Sequence, residues 1–395
     1  MRTSQPKDRR SRPSQTADLK SNNRSLILQS LFKHPLRSRH DLIAETQLAP
    51  STISSITAEL LDQGLIRRAG DVGHSGAGRR SQILARNPAA GYAAAVHVTP
   101  ERCRIGVVDF GYNVLETQEL IFDRGFQEHY TSDVVSALLK LVARLRAGAR
   151  LVAVALALPN HPYNVAAIHD QFQQAFKTVP VHRINNTEAM AVHEFYRRLG
   201  QELHTAVYVY VGTGIGSGLI INGNLYRGVH GDACDFGHMY MTDRPLLCRC
   251  GREGCLETVA SEQAVSSALA GHFRLARPPV REELIEFLIA RLTAHDPFCT
   301  SLIREAADYL GKGLFNLVSI TDPERVIVAG RLTTLGPLYW TMVQESYMKR
   351  VRSYSPQTVP LEFVTVRDDS ALIGGAMFSF ITLYCGVVQP VAAAA

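Results

Sequence analysis

The sequence lacks any apolar run long enough to cross a bilayer. Its longest, Leu151 to Leu158, is eight residues and stops at Pro159, against the roughly 20 that a spanning helix needs. The first residues, MRTSQPKDRRSRPSQT, hold no apolar block of the secretory kind, so the expected location is the cytoplasm. Cysteine is sparse, seven in 395 residues, and in that compartment a disulfide framework is not expected. Charged residues make up only 20% against 46% hydrophobic, which excludes a disordered chain and leaves enough apolar residues for two or three domains.

Charge is unevenly placed. Residues 1–87 hold 15 Lys+Arg against 7 Asp+Glu, whereas the remainder holds 27 against 29. A basic first fifth on a slightly acidic body points to a polyanion-binding module joined to something else. Residues 1–21 read as a basic flexible tail, in which Arg9, Arg10 and Arg12 would supply non-specific phosphate attraction.

Residues 22–87 read as a winged helix-turn-helix DNA-binding domain. NNRSLILQSLF spaces Leu28 with Phe32 and Ile27 with Leu31 as one helix face, and His34-Pro35 ends it. A second short helix follows Ser38 as its cap. The third, STISSITAELLDQG, buries Ile53, Ile56 and Leu60 and leaves Ser51, Thr52, Ser54 and Ser55 exposed at its start, with Gly64 at its end. In this motif the second helix of the pair enters the major groove, where such hydroxyls reach phosphates and base edges. Leu65 to Ala69 and Gln82 to Ala85 read as wing strands around GDVGHSGAGRRS, and Arg79 and Arg80 suit a narrow minor groove. Protein docking by a small three-helix bundle is the competing reading.

From Tyr92 onward, strand-like segments alternate with helical ones, as in an α/β domain with a largely parallel sheet. The glycine-rich stretch 211–218, VGTGIGSG, could turn backbone N–H groups toward a phosphate or a sugar hydroxyl, but glycine turns also arise for steric reasons. More specific is His238, Cys248, Cys250 and Cys255, spaced H-x9-C-x-C-x4-C with glycines at 251 and 254. One imidazole and three thiolates complete a tetrahedral Zn2+ site of the structural type, with no position left for water.

VGTGIGSG, GVHGDACDFGH at 228–238 and CGREGCLE at 250–257 together resemble the ROK family, whose members are sugar kinases or winged-helix sugar repressors. The resemblance spans about residues 20–385, and the extra N-terminal module places the chain with the family's glucose, N-acetylglucosamine and xylose regulators. It implies an actin-like or hexokinase-like (ribonuclease H-like) pair of α/β lobes, here 88–187 and 188–385, the latter with the zinc site and a return helix, before a tail at 386–395. It also implies homodimers or homotetramers that leave operator DNA when a sugar or sugar derivative binds the cleft. The family's sugar contacts map onto Asn185, Asn186, Asp235, His238 and Glu257. The kinases' catalytic Asp falls at Asn186, and a neutral amide is no general base. The phosphate loop is replaced by HVTPERCRIGV at 97–107, and VIVAGRLTTLG at 326–336 has lost adenine-side glycines. The expectation is therefore a repressor of sugar uptake or catabolism genes rather than an enzyme. Two alternatives stay open: a sugar kinase with a DNA-binding appendage, and a repressor controlled by a partner protein such as a sugar transporter subunit.

Overall fold

The computed structural model describes residues 15–72, 81–100, 102–122, 125–145, 149–160, 163–198, 203–351 and 358–386. Arg9, Arg10, Arg12, Arg79 and Arg80 lie outside the described residues. The chain divides into two compact units, residues 1–90 with 380–389, and residues 91–379 with 390–395.

The first unit contains α1 (Gln15–Lys33), β1 (Arg37–Ser38), α2 (Arg39–Thr46), α3 (Pro50–Asp62), β2 (Ile66–Val72) and β3 (Ser81–Arg86). Its core is Ile27, Leu28, Leu31 and Phe32 of α1 against Leu42, Ile53, Ile56, Leu60 and Leu84, all buried. Ser38 caps α2 reciprocally: its hydroxyl accepts from the Asp41 N–H at 3.1 Å, and the Asp41 carboxylate accepts from the Ser38 N–H at 2.7 Å. Helix α1 begins at Gln15, seven residues before the Asn22 start that the sequence suggests. Lys20 and Arg24 tie this part of the helix to Glu59 of α3 at 2.9 and 2.8 Å. The sheet has a third strand that no periodicity signals, since β1 is two residues long and pairs Arg37 with Leu84 and Ser38 with Ile83.

The second unit holds two lobes. The first comprises β4 (Tyr92–Val98), β5 (Arg102–Asp109), β6 (Val114–Ile121), α4 (Thr131–Ala143), β7 (Leu151–Leu158), α5 (Val165–Ala175) and β8 (Val181–Asn185). Then come α6 (Asn186–Arg197), β9 (Ala206–Val211), β10 (Ile215–Ile221), β11 (Asn224–Tyr226), α7 (Glu257–Ala260), α8 (Glu262–Phe273), α9 (Arg281–Thr293), α10 (Pro297–Thr321), β12 (Arg325–Ala329), α11 (Pro337–Val351), β13 (Leu361–Val364) and α12 (Ser370–Cys385). The sheets run β6-β5-β4-β7-β8 and β11-β10-β9-β12-β13, so both lobes follow the same order, third strand to first, then fourth and fifth. The expectation of a largely parallel sheet needs correction: in each lobe the first three strands form an antiparallel meander and only the last two pairings are parallel. The cause is local. Tight turns such as Gly111-Tyr112-Asn113, held by the Asp109 carboxylate, return the chain without a crossover helix.

Helix α12 returns to the first lobe, where Leu372 packs with Ala95 and Ala155. Helix α6 lies on β10, and that contact explains two glycines: a Cβ at Gly216 would strike Thr187, and one at Gly218 would strike Ala191. Packing against α6 therefore requires glycine at both positions, and Gly216 also lines the cavity between the lobes. Among the described residues no helix is long and apolar enough to cross a membrane.

Burial also sets a pH dependence. The His182 and His193 imidazoles are desolvated, which brings each pKa from 6.5 down to about 4. Between those values the unfolded chain takes up protons that the folded one does not, so stability is full above pH 6.5 and falls as pH drops toward 4. For His193 alone the loss is about 2 kcal/mol at pH 5. Melting curves should show Tm falling from pH 7.5 to pH 5, with a smaller fall in His193→Gln.

Candidate metal centre and interlobe cleft

The loop between the 3-10 turn Phe236–His238 and α7 folds back on itself. Tyr240 bridges to Cys255 and Leu247 to Glu253, and the Cys248 and Arg252 backbones close a turn at Gly251. Gly251 and Gly254 have φ of +86° and +76°, a region that only glycine enters cheaply. The folding brings one ligand atom each from His238, Cys248, Cys250 and Cys255 to within 4.8 Å of one another. The Cys250 and Cys255 sulfurs are 3.7 Å apart, and Cys248 Sγ is 3.4 Å from His238 Nδ1. A tetrahedron with metal–sulfur bonds of about 2.3 Å has sulfur–sulfur edges of about 3.8 Å, so donor set and spacing both fit a zinc ion. These four residues can hold a metal.

His238 joins this centre to a cavity of about 350 Å3 between the lobes of the second unit. Its Nδ1 faces Cys248 while Nε2 faces Asp235, whose Oδ1 is 4.0 Å away. Asn185, Asn186, Asp235 and His238 line the cavity. Asn185 and Asn186 stand where β8 passes into α6. The Asn185 side chain accepts from the Thr187 N–H at 2.8 Å and completes a capping box with Glu188. Asn186 Nδ2 donates to the Val98 carbonyl at the end of β4, at 2.7 Å.

Glu257 is 6% exposed and does not line that cavity. Its Oε1 accepts from Arg249 Nε at 3.1 Å and Cys248 Sγ at 3.0 Å; its Oε2 accepts from Arg249 Nη2 at 3.0 Å and the Ile215 N–H at 3.3 Å. Arg249, between two of the thiols, therefore covers Glu257 and presents its own guanidinium to the cleft. Nothing in the C-x-C spacing marks the middle residue as a cleft residue. Arg102, Arg281, Arg331 and Arg367 line the cavity as well. In the first unit, Ser51, Ser54 and Ser55 are exposed at the start of α3 and Thr52 is half-buried, while Arg67 and Arg68 are exposed on β2.

The ROK family model matches residues 95–380, which is most of the chain. The chain is a member of the ROK family. Its similar relatives include a xylose repressor of Caldicellulosiruptor bescii, 25% identical over 90% of this chain and 94% of that one. Another is the DNA-binding transcriptional dual regulator NagC of Escherichia coli K12, 22% identical over 86% and 88%. Among solved structures, a ROK family transcriptional regulator described as a homologue of the Escherichia coli MLC protein superposes with TM-score 0.71, covering 93% of this chain and 98% of that one at 24% identity. A ROK hexokinase from Thermus thermophilus matches with TM-score 0.62 and 26% identity, over 74% of this chain and 99% of its own. The hexokinase shares the two-lobed ROK body, and the regulator match extends over the N-terminal helical region as well.

Asn186 gives this ROK chain a contact that an aspartate cannot keep. In Asn186→Asp a carboxylate oxygen would face the Val98 carbonyl with no proton between them, at a cost of about 1–3 kcal/mol. The variant should melt several degrees below the parent at pH 7, and the gap should narrow at pH 4, where a protonated acid can donate again.

Proposed function

We propose that this protein is a sequence-specific DNA-binding transcriptional repressor of sugar uptake or catabolism genes, released when a sugar or sugar derivative occupies the interlobe cleft. The observation that carries this reading is the joining, in one chain, of a winged helix-turn-helix to a ROK body, with Asn186 at the position to which the resemblance assigns the kinases' catalytic Asp. Ser51, Thr52, Ser54 and Ser55 are the base and phosphate contacts at the start of α3, and Arg79 and Arg80 those of the wing. The effector meets Asn185, Asn186, Asp235 and the Nε2 side of His238. It acts through its different affinity for the DNA-competent and DNA-released states. Operator symmetry then calls for a homodimer or homotetramer, working in the cytoplasm.

The metal is a structural Zn2+ held by His238, Cys248, Cys250 and Cys255. When bound it supplies a fixed crosslink across the loop. His238 then presents Nε2 to the cleft in one tautomer. Kinase chemistry is absent on this reading, because Asn186 takes no proton and its amide is committed to Val98.

The reading is tested by incubating purified protein with fragmented genomic DNA at near-physiological salt, sequencing what is retained, and repeating with Arg79→Ala and Arg80→Ala. A few palindromic sites beside sugar transport or catabolic genes, released by one sugar of a panel, are expected. Uniform, salt-sensitive retention would reduce the module to a polyanion anchor. ATP-dependent sugar phosphorylation above a metal-stripped blank would restore the enzyme reading.

A further inference from the structure

Parallel strands β9 and β12 lie side by side, with Tyr210 opposite Ala329. Beyond their carboxyl ends lie the Gly212-Thr213-Gly214 turn, the Gly330-Arg331 turn and the N-terminus of α8. Thr213, Gly214, Gly330 and Arg331 line the cavity. Carboxyl strand ends, a glycine turn and a helix N-terminus together make the usual place for a phosphate group in an α/β fold.

Here that place is filled from within. Glu262, the first residue of α8, is 4% exposed, and its carboxylate accepts from the Arg331 backbone N–H at 3.3 Å and from Arg331 Nε and Nη2 at 3.0 and 2.7 Å. Its own N–H donates to the Gly212 carbonyl at 2.9 Å, so the residue also ties the two turns together. The Arg331 guanidinium, which would otherwise favour a phosphate, is neutralised by a buried acid behind it. Arg102, Arg249 and Arg367, also on the cavity wall, are likewise paired, with Glu119, Glu257 and Asp369. A phosphate entering at the glycine turn would meet a guanidinium whose charge Glu262 already neutralises, and would have to compete with that buried ion pair for it.

We infer that the Glu262–Arg331 pair is a specificity determinant that keeps phosphate-bearing ligands out of the glycine-turn end of the cleft and leaves the cleft to an uncharged sugar. The inference rests on the proposed role of the cleft as effector site, and it names the class of effector that site accepts.

The test is the thermal shift of the full chain and of Glu262→Gln and Arg331→Ala. The probes are inorganic phosphate, glucose 6-phosphate and AMPPNP with Mg2+, beside glucose, xylose and N-acetylglucosamine. The parent should respond to none of the phosphates. Glu262→Gln, which keeps the shape and removes the charge, should bind at least one of them about tenfold or more tighter than the parent, whereas Arg331→Ala, which keeps the carboxylate, should gain nothing. A parent protein stabilised by any phosphate probe overturns the inference. So does a folded Glu262→Gln that responds to none, or an Arg331→Ala that gains as much. Should Glu262→Gln not fold, Glu262→Ser, which also removes the charge and keeps a polar group at the start of α8, takes its place under the same criteria. The assay contains no DNA, so its failure is separate from failure of the repressor reading, which operator release measures.

Discussion

Replacing Cys255 by serine is expected to lower the zinc content of the purified protein from one ion per chain to almost none and to lower Tm by about 10 °C or more. The size follows from what holds the loop 239–256 closed. Met239, Met241 and Leu256 anchor the loop's ends on the core and Cys255 and Cys248 are buried, but Tyr240 and Leu247 are 67% and 73% exposed, so little apolar burial closes the part between. The two short bridges and the four metal ligands do most of that work. A serine hydroxyl is a poor substitute for a thiolate, and loss of one ligand of a structural site costs on the order of 5 kcal/mol. Calorimetry and elemental analysis of Cys255→Ser beside Cys299→Ser make the comparison. Cys299 is equally buried on α10 but outside the cluster, so its variant should keep the ion. Retention of a full equivalent of zinc by Cys255→Ser would remove the metal centre from the account.

The second large effect is expected at Gly374, where α12 crosses α6. A Cβ at Gly374 would overlap the carbonyl of Ala189, a backbone group that no rotamer change can move aside. Helix α12 packs on the sheet of the first lobe and α6 on β10 of the second, so the close approach of these two helices helps hold the two lobes together. Inside a helix, Gly→Ala ordinarily gains about 1 kcal/mol. At Gly374 the overlap should reverse that sign and cost about 3 kcal/mol net, with a Tm loss of roughly 6–12 °C. Its neighbour supplies the control: a Cβ at Gly375 would sit 3.4 Å from Ala155 Cβ, an ordinary contact, so Gly375→Ala should be neutral or slightly stabilising. Equal melting of the two variants would contradict the crossing as described.

The elements that sequence reasoning recovered are those whose signal is local. Ile53, Ile56 and Leu60 repeat on one face of α3, Ser38 caps the helix that follows it, and the four ligands of the metal centre span only 18 residues. The neutral Asn186 at the junction of β8 and α6 was legible for the same reason. Other features left no such trace. Strand β1 is too short for a period, and the polar first turns of α1 are anchored by Glu59 from a distant helix. Nor did the alternating glycines of β10 announce that α6 lies on Gly216 and Gly218, which leaves no room there for a Cβ.

Chain order and residue type were therefore enough to establish a basic winged helix-turn-helix, an α/β body and a Cys3His cluster. Only the tertiary structure decided how the cleft is charged. Glu257, read as a sugar contact, lies under Arg249, and Glu262 neutralises Arg331 from 69 residues away. Periodicity and spacing report which neighbours along the chain share a face. A carboxylate's partner is set by which distant elements pack over it, and that information arises only when the two sheets and their crossing helices are assembled.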